Sequence, residues 1–477
     1  MDTATSPSVG ALRQFDDLPG PRGLPVFGNL LQIDSTRVHQ QVEAWCETFG
    51  PVFKLRLGKR RVVVVGDHEL ITTVLRDRPD GFRRTQRLEE VGREMGLAGG
   101  LFSVNGEVWK RQRRMVMAGF DPVHVKRYYP ALLRVAERLV GRWQQAARED
   151  RRIELQADLM RFTVDAVAGL AFGADVNTLQ SDEDVIQQHL NRIFPMLFKR
   201  MFSPLPTWRW WPGAEDRALA HSVAAIDVAV QGFIAQARAR LSADPGLRSA
   251  PGNLLEAMLV AADEPGSGID DAQVAGNVLT MLLAGEDTTA NTLAWMIWLL
   301  SRHPEALAQA RAEVDRVLGD AALPDLAQLG QLDFVEACAH ETMRLRPVAP
   351  INTMQAVHDT RVGDVAVPAG TLVMGVMRHD AVSERHLPGA AAFDPQRWLG
   401  DAKQAGVAKR LSMPFGAGPR ICPGRYLALM EIKLAMAALL RHFDIAAVDT
   451  PDGQAPREHL QLAMGPVGLS MRLRLRA

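Results

Sequence analysis

The stretch Phe415-Gly416-Ala417-Gly418-Pro419-Arg420-Ile421-Cys422-Pro423-Gly424 decides the reading, together with the apolar run RYLALMEIKLAMAALLRHF that follows it over 425–443. Gly416 and Gly418 give a loop that can turn sharply. The run after it has helical character, so Cys422 stands where a helix begins, with Pro423 at the first helical position. A helix N-terminus and the nearby Arg420 both favour a thiolate. A lone thiolate in a glycine-lined loop serves as a nucleophile or as a metal ligand. The local sequence has no histidine base, which weakens the nucleophile reading. A single cysteinate is also an axial ligand for haem iron. Cys46 and Cys338 have no comparable setting and read as inert thiols.

The surrounding composition fits a soluble globular protein. Among 477 residues, 55 basic side chains balance 55 acidic ones, which argues against a strongly basic nucleic-acid binder and a polyanionic chain. Apolar residues make up 47% and charged residues 23%. Three cysteines cannot form a disulfide framework, so a reducing compartment, the cytoplasm, is expected. Residues 1–17 are small and polar and are expected to be a disordered tail, with neither a signal peptide nor a membrane anchor visible. Residues 18–30, rich in proline and glycine, are expected to run extended. Length alone suggests about three domains, but no linker divides 40–470. A single domain over 18–477 is therefore expected.

The pattern predicts a mainly α fold with small β-sheets. One hairpin is expected from VFKLRL (52–57) and VVVV (62–65), and another from Thr360–Val362 and Val365–Val367 around Gly363-Asp364. A third β-run begins at Thr371. Helices are expected over 131–148, 219–241 and 424–443, without the strand–helix alternation of a doubly wound sheet. The longest helix runs from an N-cap at Asp270 to Ser301, roughly 48 Å of helix. Charged residues in its middle, Glu286 and Asp287, argue for a buried soluble helix rather than a membrane span. GAGPRI at Gly416 lacks the third glycine and the βαβ unit of a dinucleotide site. HETMR at His340 has Arg344 where a zinc site needs its second histidine.

Phe415-x-x-Gly418-x-Arg420-x-Cys422-x-Gly424 resembles the cysteine-ligand loop of the cytochrome P450 family, the haem-thiolate monooxygenases. Three further motifs resemble the family in its order. Glu341-Thr342-Met343-Arg344 is similar to its Glu-x-x-Arg pair, and Phe393 to Trp398 to the region that supplies Arg397 as a third member. Ala284-Gly285-Glu286-Asp287-Thr288-Thr289 resembles its oxygen-activation segment. Trp109 and Arg113 resemble a Trp-x-x-x-Arg helix that meets a haem propionate. The bland alternatives are a surface ion pair for the first. For the second they are a threonine bonded to its own helix and an acid paired with arginine.

The resemblance implies a P450 fold, with haem b (iron protoporphyrin IX) between the long central helix and the cysteine loop. It makes Cys422 the iron ligand and assigns haem contacts to Trp109, Arg113, Phe120, Ala284, Pro414, Phe415, Gly416, Arg420, Ile421, Pro423, Gly424 and Ala428. Asp287 and Thr288, with Glu286 beside them, would handle protons, and Gly285 would let oxygen approach the backbone. Glu341, Arg344 and Arg397 would support the cysteine loop. The neighbourhood of Asn352 carries no cation, which leaves a third propionate partner unassigned.

The implied reaction inserts one oxygen atom from O₂ into a lipophilic molecule, by hydroxylation or epoxidation. The alternatives are a peroxygenase or isomerase at the same haem-thiolate site, or a haem sensor or carrier. A pocket is expected from Phe82, Leu97, Leu101, Phe102, Phe194, Val348 and Ile351. Only 55 residues follow Cys422, so electrons are expected from a separate ferredoxin or flavodoxin, docking at Lys110, Arg111 and Arg114. The chain is expected to be a soluble, bacterial-type, monomeric member.

Overall fold

The computed structural model describes residues 12–476, apart from 121, 181–184, 204 and 401. The expected tail falls partly outside these residues. From Leu12 onward the chain is packed, not disordered: Phe15 is buried in a 3-10 turn, and Arg13 forms a bidentate pair with Asp364 at 2.8 Å.

Helices build most of the molecule. Asp271–Arg302 is the central one, 32 residues long. It is capped by Asp270, whose carboxylate accepts from the Gln273 N–H. Its flanks are Leu155–Phe172 on one side and the helices Asp333–Leu345 and Arg425–His442 on the other. Twenty of its residues are buried, including Trp295, so the charged centre is enclosed by protein rather than lipid. Among the described residues, one helix, Ala214–Ala243, is long and apolar enough to cross a membrane. Its buried Leu219, Ile226, Val230 and Ile234 nonetheless join the core between it and Val185–Phe202.

The first hairpin forms as Val52–Leu57 and Arg60–Val65 around a tighter turn than expected, Gly58-Lys59. The run after Thr371 does not extend the second hairpin. Its strand Leu372–Val376 pairs parallel with Arg60–Val65 and antiparallel with Ile351–Ala356. Phe82–Arg84 completes this five-stranded sheet on its far edge. Thr360–Val362 and Val365–Val367 form a separate ladder. Where the sheet meets the helical body, a large cavity opens, lined from both.

Candidate active site

The cysteine loop is built by backbone bonds before any side chain acts. The Cys422 N–H donates to Phe415 O at 2.9 Å, and the Ile421 N–H to Gly418 O at 3.1 Å. Gly418 has φ +71°, and a Cβ there would lie 2.6 Å from Leu75 O, so the loop presses on the helix His68–Arg76. The following helix starts at Arg425 with Gly424 as its cap. Pro423 is therefore not its first residue, and Cys422 precedes the helix by one tight turn. Ala428 closes the first turn of the helix through its N–H to Gly424 O.

Cys46 and Cys338 are buried, whereas the Cys422 side chain is accessible. Protein atoms nonetheless surround it closely. Desolvation accordingly pushes its thiol up, opposed by the Gly424 N–H and by the charges of Arg113 and Arg425. A bound cation would outweigh that rise, since a coordinating thiol is deprotonated outright.

Trp109 and Arg113, one turn apart in the helix Gly106–Gly119, both reach the loop. Arg113 donates to Ile421 O at 2.9 Å, and the Arg420 guanidinium lies over the Trp109 ring at 4.7 Å. Phe120 caps the same helix and comes within 3.9 Å of the Cβ position of Gly424. Arg420 also donates to Val104 O. Two further arginines gather here. Arg78 donates to Leu75 O and Ala417 O, and Arg84 reaches Asn352 Oδ1 at 3.2 Å.

No carboxylate pairs with Arg78, Arg84, Arg113 or Arg420 among the described residues. The Nε atoms of Arg84 and Arg420 are buried without a partner. Burial, then the mutual repulsion of this group, pulls Arg420 down to about 9. Burial likewise pulls Arg84 down to about 10. Such a cluster is costly unless anions meet it. One thiol donor beside acid-free arginines matches an iron and two propionates, so these residues fit haem. Arg84 was not legible in sequence. It reaches the Asn352 region because Arg83 and Arg84 pair with Gln355 and Met354.

Ala284, Asp287 and Thr288 line a cavity of about 830 Å³. Thr288 Oγ1 donates to Ala284 O at 2.8 Å, the local bond that a helical threonine commonly makes. Among the described residues Asp287 has no cation beside it, and burial alone pushes its carboxyl up to about 6. Glu286 is buried against Leu155–Phe172, where Thr163 donates to its carbonyl at 3.0 Å. It lines a smaller chamber of about 240 Å³, which Asp287 shares, and not the main cavity. A Cβ on Gly285 would meet Val167 Cγ2 at 2.5 Å. The glycine therefore allows close packing of this helix on Leu155–Phe172.

Leu97, Phe102, Phe194, Val348 and Ile351 line the main cavity, joined by Leu197, Phe198, Leu279 and Leu283. Phe82 and Leu101 do not. Phe82 is buried behind the sheet with Val65 and Met354, and Leu101 packs in the helical core with its N–H bonded to Asn277 Oδ1.

Glu341, Arg344 and Arg397 meet in a fully buried cluster. Arg344 chelates Glu341 with two bonds of 2.7 Å, and Arg397 Nε adds one of 3.0 Å. The Asp394 N–H and Trp398 Nε1 complete the carboxylate's shell. The guanidiniums spend their remaining donors on the carbonyls of Ala381, Ala390, Ala392, Pro388 and Gly389. Every charge is thus satisfied, as a buried ion pair requires.

On the surface above the Trp109 helix, Lys110 is paired with Glu107 at 2.9 Å and Asp80 at 3.6 Å, and Arg111 packs against Gly268. Arg114 is exposed and unpaired among the described residues.

Comparison with known proteins agrees with this geometry. The Cytochrome P450 family model matches residues 18–472. The chain is 29% identical to cyclooctat-9-en-7-ol 5-monooxygenase of Streptomyces melanosporofaciens, over 90% of this chain and 89% of that one. It is 28% identical to a self-sufficient cytochrome P450 monooxygenase of Oidiodendron maius, spanning 91% of this chain but only 40% of that protein. The crystal structure of the cytochrome P450DA heme domain superposes with a TM-score of 0.84 at 25% identity, over 98% of this chain and 99% of that one. A family match over nearly the whole length, a matching fold and an accessible cysteine beside acid-free arginines lead to one conclusion: the chain belongs to the cytochrome P450 family of haem-thiolate monooxygenases, and its cofactor is haem b.

Proposed function

We propose that the protein inserts one oxygen atom from O₂ into a lipophilic small molecule, by hydroxylation or epoxidation, with electrons from a separate ferredoxin or flavodoxin. One observation carries this reading: Asp287 and Thr288 stand in the wall of a large, mainly apolar cavity. Haem, when bound, supplies the reductive activation of O₂. Cys422 would hold its iron, and Arg113, Arg420 and Arg84 its propionates.

The chain's own residues supply substrate binding and proton handling. Leu97, Phe102, Phe194, Val348 and Ile351 favour an apolar substrate by burying its surface. Fatty acids, terpenoids and polyketides are of that kind. Burial pushes the Asp287 carboxyl up to about 6, close enough to neutrality for it to take and give protons. The Thr288 hydroxyl, adjacent in sequence and in the same cavity wall, must leave Ala284 O to pass a proton inward. Glu341, Arg344 and Arg397 hold the backbone carbonyls of 381–392 in place and act as support.

Electron delivery is assigned to the face carrying Lys110, Arg111 and Arg114. Lys110 already has acid partners, so Arg111 and Arg114 contribute most of its free positive charge. Three unpaired cysteines support a reducing compartment such as the cytoplasm.

The test replaces Thr288 by Ala and follows NADPH use with a surrogate redox chain. Less product per electron and more peroxide are expected. Unchanged coupling removes Thr288 from oxygen activation.

A further inference from the structure

We propose that His68, Asp380 and His386 form a binding site for a divalent transition-metal ion of the zinc class. The ring nitrogens and a carboxylate oxygen of these three residues lie within 4.8 Å of one another. His68 Nδ1 is 2.9 Å from Asp380 Oδ2, and His386 Nε2 is 3.4 Å from the same oxygen. A tetrahedral zinc ion holds its ligand atoms about 3.3 Å apart, given metal–ligand bonds of about 2.0–2.1 Å. The set therefore needs only small shifts to close on an ion.

The imidazoles meet edge to face, with centroids 5.1 Å apart at 74°, so their nitrogens converge on the acid instead of stacking past it. The carboxylate is also fixed by the His68 main-chain N–H, which donates to Asp380 Oδ2 at 2.9 Å. Asp380 is buried and the His386 side chain is 33% exposed, which leaves one side open to an ion and to water as a fourth ligand. Two imidazoles and one carboxylate select zinc, cobalt or nickel over magnesium and calcium, which need more oxygen donors.

The place in the fold gives the ion a consequence. His68 opens the helix His68–Arg76, and Leu75 of that helix backs Gly418 in the cysteine loop. Asp380 precedes Ala381, whose carbonyl accepts Arg344 of the buried triad. A metal bound here would clasp two supports of the haem site from outside it.

The experiment dialyses the haem-loaded protein against micromolar zinc, counts zinc per chain by elemental analysis, and records thermal unfolding with and without zinc. The wild type is expected to take up zinc and to unfold at a higher temperature in its presence. His386→Gln is expected to weaken uptake at least about tenfold and to lose the thermal shift, while keeping its haem spectrum. His358→Gln, at an exposed histidine elsewhere, keeps both. The proposal fails if the wild type takes up no zinc, or if His386→Gln binds zinc and is stabilised as the wild type is.

Discussion

Replacing Asp287 by Asn is expected to make the protein more stable while disabling it. The carboxyl has no hydrogen-bond partner or cation among the described residues, and burial raises its pKa from 3.8 to about 6. The folded value exceeds the unfolded one, so the folded state binds the proton more tightly. Stability is therefore undiminished below about pH 4, falls as pH rises, and is fully reduced above about pH 6. At about 1.4 kcal/mol per pH unit, the reduction reaches roughly 3 kcal/mol. Part of the side chain faces the cavity, which lowers the expected figure to about 1.5–3 kcal/mol. Asn carries no charge and escapes this cost. Urea unfolding of the haem-loaded wild type and D287N at pH 4.5, 6 and 7.5 measures the gap. D287N should exceed the wild type by only about a third of that amount at the lowest pH and by the whole of it at the highest, with product formation down about a hundredfold. A gap that does not change with pH, or a variant less stable at pH 7.5, refutes the reasoning.

Glu431 is fully buried, and its carboxyl is pushed up to about 8 by burial. Glu431→Gln should therefore gain stability from about pH 5 upward and level off above pH 8, as urea midpoints across that range will read. Trp398→Phe removes one donor from Glu341 and should cost about 1.5–3 kcal/mol, whereas Glu341→Ala strands two buried guanidiniums and should cost about 3–5 kcal/mol. Gly285→Ala should destabilise by about 1–3 kcal/mol through its clash with Val167, and adding Val167→Ala should restore most of the loss. Arg420→Leu should release haem to an excess of apomyoglobin several-fold faster than the wild type, with Arg84→Leu acting in the same direction.

The features that sequence made legible are local ones. The central helix announces its own start, because Asp270 and Gln273 cap each other across one turn. The cysteine loop is contiguous, and its glycines and proline fix its shape from Phe415 to Gly424. What stayed hidden depends on which distant surface each residue meets. Arg84 reaches Asn352 only through strand pairing across some 270 positions. Phe82 and Phe102 are both aromatics before or beside the same helix, yet one packs behind the sheet and the other lines the cavity. That Gly285 also lets the helix close on Val167 depends on a contact more than a hundred positions away. Pro423 reads as the first helical residue, but the loop bonded from Cys422 N–H to Phe415 O runs on to Gly424 and the helix starts at Arg425.

The central claim is that Cys422 is the ligand of haem iron. The spectrum of the reduced protein with carbon monoxide tests it most directly. A strongly red-shifted Soret band is expected from the wild type, lost in Cys422→His and retained in Cys46→Ser. Folded, haem-loaded wild type without that band, or a Cys422→His variant that keeps it, would contradict the account.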